Sequence, residues 1–390
     1  MIEQVKGTNN IDGELAVKYN LIHNTFYKIF KSYGYEQVIT PTLEHAELFK
    51  KSIGENSEIV TKQMYQFKDK AGRDIVLRPE GTSSLVRYHA ENNKDFTKKY
   101  IYFGQMFRYE NPQKNRYREF SQAGAEIIGN VDLYSEFQVI NDSINFLKSL
   151  NLEFKLNINT IGSVKEREKY TKELYKYFRS NLKKLSKESQ DKLENNTLRI
   201  LDSNEKTDLK IINDAPTMYK FLSEESLEKF NSLLLLLDNK GIKYQKNERL
   251  VRGLDYYNDL TFEFISDQGV VVGGGGRYDK LSEILNIGKF QGIGVAFGVE
   301  RIINQINKIE TSNKYYLIGS NISKMINYSI TLDSLNIPYD KPARLSKINS
   351  QFKEAKSKNY QYIINTDEDT IKNLRTNTTV KFSKKALSWI

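Results

Sequence analysis

Between Gln291 and Arg301 the chain alternates with period two: Gly292, Gly294, Ala296 and Gly298 fall on one side, Ile293, Val295, Phe297 and Val299 on the other. Successive strand side chains point to opposite faces, so this run predicts a strand with one packed face and one face of almost bare backbone. A bare face lets a planar ligand approach the main chain, or lets a helix pack tightly on small residues; the run alone suits both. Arg301 falls in the first turn of the helix expected next, where a cation opposes the helix dipole and so points toward an anion. A second glycine-dense stretch, Val270–Asp279, reads as a buried strand, a turn of four glycines (Gly273 to Gly276) and a helix start with Asp279 as N-cap. Upstream, Arg252-Gly253-Leu254-Asp255-Tyr256-Tyr257 sets an arginine, a carboxylate and two tyrosines within six residues.

A hairpin is expected from Phe103–Glu110 and Arg116–Glu126, joined by Asn111-Pro112-Gln113-Lys114-Asn115. Alternation places Arg108 with Glu110 on one face, and Arg116, Arg118, Phe120, Gln122, Gly124 and Glu126 on one face of the second strand. Charged strand faces are commonly solvated and salt-bridged. Guanidiniums, an aromatic ring, an amide and carboxylates on one surface also suit a ligand carrying phosphates, a flat base and an amine, and Gly124 leaves room for it.

The chain has 390 residues, enough for two or three domains. With no cysteine and three histidines (His23, His45, His89), disulfides, thiolate zinc sites and cysteine nucleophiles are excluded, and no metal ligands are assigned. The net charge of +10 favours a polyanionic partner such as nucleic acid. No apolar run approaches the roughly 18 residues of a membrane span, and Met1–Gly13 has no signal-like pattern, so no membrane partner and a cytoplasmic location are expected. Leu15, Tyr19, Ile22, Phe26, Ile29 and Phe30 mark a helix over 14–33, followed by a strand at Gln37–Thr40. A lysine, glutamate and leucine-rich stretch reads as a helical insertion, and short apolar runs after Lys314 as a small α/β domain, with Ile309–Asn313 as linker. The expected division is therefore 1–165, an insertion at 166–245, 246–308 and 309–390. Phosphate-loop, dinucleotide-loop and zinc-protease motifs are missing, so a nucleotide site would have to be built on a sheet.

Taken in order, Arg78-Pro79-Glu80-Gly81-Thr82, Phe107-Arg108-Tyr109-Glu110 with Arg116 and Phe120, Gln122-Ala123-Gly124-Ala125-Glu126, the Arg252–Tyr257 run, Gly274-Gly275-Gly276-Arg277-Tyr278-Asp279 and Gly298-Val299-Glu300-Arg301 resemble the class II aminoacyl-tRNA synthetases, specifically the histidyl-tRNA synthetases. The resemblance extends from Gly7 to Ile303, is weaker in the insertion and weakest at the C-terminus. Asn10, usually acidic in the family, and Lys280, commonly glycine, depart from the pattern; so does Asp367–Ile390.

The resemblance implies an α+β fold, an antiparallel sheet flanked by helices. It implies homodimerisation through the motif-1-like Val38–Phe49, and an anticodon-binding-like C-terminal domain. It assigns Arg108 and Arg252 to catalysis at the α-phosphate, and Arg108, Glu110, Arg116, Phe120 and Arg301 to ATP. To histidine it assigns Glu80, Thr82, Gln122, Glu126, Arg252, Tyr256, Tyr257 and Tyr278. ATP with its Mg2+, L-histidine and tRNA-His are the implied substrates. The alternative within the same fold is an inert paralogue serving as regulatory subunit of ATP phosphoribosyltransferase in histidine biosynthesis. That protein typically lacks an intact Arg252–Tyr257 run and a comparable C-terminal domain.

Overall fold

The first helix, α1 (Gly13–Ser32), buries Ile22, Phe26 and Phe30 on one stripe and ends where Gly34 adopts a left-handed φ of 80°. This is a computed structural model, and it describes residues 2–55, 57–93, 95–111, 115–203, 205–307 and 314–388. The linker expected at Ile309–Asn313 lies outside the described residues, as do Pro112–Lys114 of the expected hairpin loop.

After α1 come β1 (Glu36–Gln37), β2 (Leu43–His45), α2 (Ala46–Ile53), β3 (Gln66–Lys68), β4 (Asp74–Leu77) and α3 (Thr82–Asn92). Then follow β5 (Lys98–Phe107), β6 (Glu119–Gly129), α4 (Leu133–Ser149) and β7 (Phe154–Thr160). The helical stretch contains α5 (Val164–Ser180), α6 (Lys187–Asn195), α7 (Lys206–Asn213) and α8 (Glu224–Asn239). The chain returns through β8 (Gln245–Lys246), β9 (Asn258–Ser266), β10 (Val271–Arg277), α9 (Leu281–Ile284), β11 (Gln291–Gly298) and α10 (Val299–Ile303).

Eight of these strands form one sheet in the order β1-β5-β6-β11-β10-β9-β7-β8. The six central strands pair antiparallel, and the two-residue strands at the edges pair parallel. The expected α+β architecture is present. One face carries Ile101, Ala125, Val295, Phe297, Phe262 and Phe264, packed with Phe26 and Phe146 into the main core. At roughly 25 cal/mol per Å² of apolar surface removed from water, burial of this aromatic layer stabilises the unit.

Contacts cluster into two units, residues 1–308 and 309–390. The second holds β12 (Tyr315–Ile318), α11 (Ile322–Ser334), β13 (Tyr339–Asp340), α12 (Ile348–Ser357), β14 (Tyr362–Asn365), β15 (Thr370–Asn373), β16 (Thr379–Lys381) and α13 (Lys384–Ser388). Its sheet runs β13-β12-β14-β15-β16, and the apolar runs noted in the sequence supply its central strands. Among the described residues no helix is long and apolar enough to cross a membrane.

Four local expectations need correction: the strand expected at Gln37–Thr40 is confined to β1, Glu36–Gln37, and three others concern the site. All four glycines lie inside β10, none with a positive φ, so Gly273–Gly276 is strand and not a turn. Asp279 does not cap a helix: its carboxylate lies 3.0 Å from Arg277 Nε and accepts from Asn258, and α9 begins after Lys280. The hairpin strands are also shorter than alternation suggested. β5 stops at Phe107 and β6 starts at Glu119, which leaves Arg108, Glu110, Arg116 and Arg118 in the connection. The Tyr109 amide donates to Gln63 O and the Arg118 amide to Gly7 O, partners outside the strand pair.

Candidate active site

Strand register builds the site across the sheet. Gly124 pairs with Tyr102 on one side and Ala296 on the other; Ala296 pairs with Gly274, and Gly274 with Glu263. In a second row Tyr100, Glu126, Gly294, Gly276 and Thr261 follow one another. Both rows face away from the core side chains, because the pleat alternates.

This glycine face is not the bare floor the sequence suggested. A Cβ at Gly294 would lie 1.4 Å from Glu126 Oε2, one at Gly292 2.0 Å from the Tyr278 ring and one at Gly274 2.6 Å from Arg252 Nη1. One at Gly124 would lie 2.1 Å from the Tyr102 ring. Each glycine is therefore a slot that seats a particular polar side chain against the sheet. What remains open is a cleft of about 1000 Å³, solvent mouth included, floored by Gly273, Gly274, Ala296 and Gly298.

Of the residues expected from sequence, Glu80, Thr82, Arg108, Glu110, Arg116, Phe120, Gln122, Arg252, Tyr256, Tyr257 and Arg301 line this cleft. Glu126 and Tyr278 are buried behind Thr82. Thr82 Oγ1 donates to Glu126 Oε1 at 2.7 Å and the Tyr278 hydroxyl to Glu126 Oε2 at 2.7 Å. Burial pushes the Glu126 carboxyl up to about 8, against the lowering effect of those two hydrogen bonds. Glu80 accepts from the amides of Thr82 (2.6 Å) and Ser83 (2.9 Å), so its carboxylate fixes the start of α3 at the cleft wall. Burial raises the hydroxyls of Tyr256 and Tyr278 well above the usual phenol range and that of Tyr257 to about 12. All three stay protonated donors. Their rings cluster, with centroids 4.8 Å apart for Tyr256–Tyr257 and 5.8 Å for Tyr256–Tyr278. Gln122 Oε1 is buried with no partner among the described residues.

The outer end differs in kind. Arg108 donates to Pro79 O at 2.9 Å and Arg301 to Val271 O at 3.0 Å. Arg116 and Arg252 stand 3.7 Å from Glu110 and Glu263, longer than a hydrogen bond. Arg252 Nε has no partner among the described residues, and the Arg108 guanidinium sits 5.3 Å from the Phe120 ring centroid. Burial lowers the pKa of Arg301, and the charge of Arg108 lowers it further; Arg116 and Arg252 add to this while Glu110 opposes it. The four guanidiniums thus repel one another around one cleft, which a polyanion would relieve.

Three cleft residues escaped the sequence reading. Tyr102, whose hydroxyl is buried without a partner among the described residues, sits opposite Gly124; only the strand register reveals that pairing. Tyr117 lines the cleft from the connection. Glu300 accepts the Ser121 amide with both oxygens (2.8 and 3.0 Å), and its place directly before Arg301 was the available signal.

Comparison with known proteins agrees with this geometry. A histidine–tRNA ligase of Streptococcus pneumoniae is 36% identical over an alignment covering 99% of this chain and 96% of the relative. The crystal structure of apo S. aureus histidyl-tRNA synthetase superposes with a TM-score of 0.75 at 29% identity, covering 99% of this chain and 98% of that one. A Bacillus halodurans structure titled as an ATP phosphoribosyltransferase regulatory subunit/histidyl-tRNA synthetase shares the fold, with a TM-score of 0.68 at 22% identity, covering 94% and 98%. The histidyl-tRNA synthetase family model matches residues 7–302, and the chain belongs to that family.

Proposed function

We propose that this chain activates L-histidine with ATP, forming histidyl-adenylate and pyrophosphate, and then transfers histidine to the 3′ end of tRNA-His. The observation that carries the reading is the convergence of Arg108, Arg116, Arg252 and Arg301 on a cleft whose inner end is a pocket of carboxylates and phenols.

Arg108 and Arg252 flank the α-phosphate. Histidine's carboxylate attacks the α-phosphorus, the bond to pyrophosphate breaks, and charge grows on the equatorial oxygens between the two guanidiniums. Arg116 and Arg301 take the outer phosphates, Phe120 stacks the adenine and Glu110 lies beside it. Magnesium arrives as part of the nucleotide. The Glu300 carboxylate in the cleft would suit an ion that keeps most of its ligands from phosphate and water.

At the inner end Gln122 Oε1, the Glu80 and Glu126 carboxylates and Thr82 receive the ammonium and neighbouring polar atoms. Tyr256, Tyr257 and Tyr278 surround the imidazole, and Arg252 holds the histidine carboxylate. A site of this kind rejects amino acids lacking the imidazole by roughly 10⁴- to 10⁵-fold, because its buried polar groups would be left unpaired. Residues 166–245 serve as the insertion and 309–390 as the anticodon-side unit, both contributing lysines to tRNA phosphates. The protein works as a cytoplasmic homodimer joined through Val38–Phe49. The regulatory-subunit alternative is not favoured, since such a protein has no need of the full set of cleft arginines.

The test is ATP–pyrophosphate exchange with each of the twenty amino acids, with Arg252→Ala alongside. Exchange with histidine alone, reduced by roughly 100- to 1,000-fold in the variant, is the expected result. Histidine binding without exchange in the wild type would favour the regulatory reading instead.

A further inference from the structure

The segment Arg252–Tyr257 belongs to no helix or strand, yet it must hold a guanidinium against the sheet at Gly274. Its carbonyls are claimed from one side. Arg199, in the 3-10 turn Thr197–Asp202, donates through Nη2 to Gly253 O and lies 3.3 Å from Asp202 through Nη1. Arg167 of α5 donates through Nη1 to Tyr257 O and to Asp255 O at 3.3 Å. Asn196 Nδ2 donates to Asp255 Oδ1 at 3.3 Å. In return Arg249, just upstream of the segment, donates to Pro216 O at 2.8 Å and Asn213 O at 3.1 Å, and to Ala215 O, all within the helical stretch.

A second cavity of about 840 Å³, solvent mouth included, lies behind the segment. Arg252, Leu254 and Tyr257 border both cavities, whereas Arg167 and Arg199 border only the second. Arginine hydrogen bonds at the edge of an open cavity therefore fix this stretch of main chain, where a packed wall would otherwise do so. Neither arginine touches the cleft in which the chemistry would occur.

We propose that Arg167 and Arg199 of the insertion are positioning residues for histidine activation: they tether the carbonyls of Gly253, Asp255 and Tyr257 and so hold Arg252 in register with the α-phosphate. This rests on the reading of Arg252 as catalytic. A guanidinium offers a rigid fork that can serve more than one carbonyl, which a shorter or single-donor side chain cannot reproduce. A displacement of about 1 Å in a catalytic group costs on the order of 100-fold in rate, so the insertion is part of the active site's geometry without contributing a group to it.

The test uses the full chain with Arg199→Met, Arg167→Met, Arg199→Lys and Arg252→Ala, alone and combined, and measures histidine-dependent ATP–pyrophosphate exchange per active site. Expected for each Met variant is a kcat lower by roughly 10- to 100-fold, with KM for ATP changed by less than about threefold and KM for histidine, whose carboxylate Arg252 holds, raised with the loss in kcat. Arg199→Lys should recover part of the loss. In the Arg252→Ala background, Arg199→Met should add nothing, because the group it positions is gone. Wild-type kcat in both Met variants, or an undiminished further loss on top of Arg252→Ala, would overturn the positioning role. If Arg199→Met does not fold, Arg167→Met and Arg199→Lys are judged by the same two criteria. Absence of histidine-dependent exchange in the wild type would instead sink the functional reading on which the proposal stands.

Discussion

The two ends of the cleft solve opposite problems. At the inner end the carboxylates are already paired: Thr82 and Tyr278 occupy both oxygens of Glu126, and Glu80 is bound to two amides of α3, while Gln122 Oε1 keeps an open position among the described residues. At the outer end four guanidiniums face one another, with long or missing ion pairs among the described residues. The inner end is set before ligand arrives, as a site that discriminates by shape and hydrogen bonding must be. The outer end holds repulsion that phosphate relieves, as a site that must grip a polyanion and then release it can be. Substitutions that spoil order should be most damaging inside, and substitutions that remove charge should be cheap outside until ATP is present.

The largest effect expected from this contrast comes from a methyl group. In Gly294→Ala the new Cβ would meet Glu126 Oε2 at 1.4 Å and Ala125 O at 2.9 Å, so the carboxylate must leave its slot. Histidine-dependent exchange should fall by more than roughly 100-fold, comparable to losing a preorganised catalytic donor, while ATP binding stays near wild type. Unchanged histidine KM and kcat in Gly294→Ala would mean that the inner end is not preset. Outside, Arg301→Gln should raise the KM for ATP by roughly 10-fold or more, the value of a charged hydrogen bond. The melting temperature of the ligand-free variant should hold or rise, because one of four repelling charges is gone. A fall in ligand-free stability together with unaltered ATP binding would invert the assignment of the outer end.

The same contrast explains what could be read from sequence. Period-two patterning identified β11, its glycine face and the shared face of Phe120, Gln122 and Glu126 on β6, because side-chain alternation is a local property of a strand, whereas Glu80, Thr82, Arg252, Tyr256, Tyr257 and Tyr278 were implied by the family resemblance alone. It extended β5 and β6 too far: the pairing ends with the Arg108 amide on Arg118 O, because Gln63 and Gly7, from elsewhere in the chain, take the amides of Tyr109 and Arg118. It took the glycines as a vacant floor because their occupants, Glu126, Tyr278 and Arg252, reach them from other elements. Gly273–Gly276 spelled a turn, yet the pairing partners on both sides hold the run extended. The tether from Arg167 and Arg199 to the Arg252 segment spans 54 residues or more in every contact and leaves no local signature.

The smallest predicted effect is a proton count. Burial holds the Glu126 carboxyl at about 8, above its ordinary value of 4.5, so at pH 7 the ligand-free carboxyl is largely protonated. A group whose folded pKa is raised lends stability that is complete below the ordinary value and lost as pH rises through about 8. An arriving ammonium favours the carboxylate, so histidine binding at pH 7 should expel up to about one proton, a release that fades above pH 8. Titration calorimetry in two buffers of different ionisation enthalpy measures that number. Tyr278→Phe removes a hydrogen bond that lowers the Glu126 pKa, so its release should persist to higher pH; Glu126→Gln should release none. Equal release from wild type and Glu126→Gln would assign the proton to another group and remove the buried carboxyl from the inner end's preset arrangement.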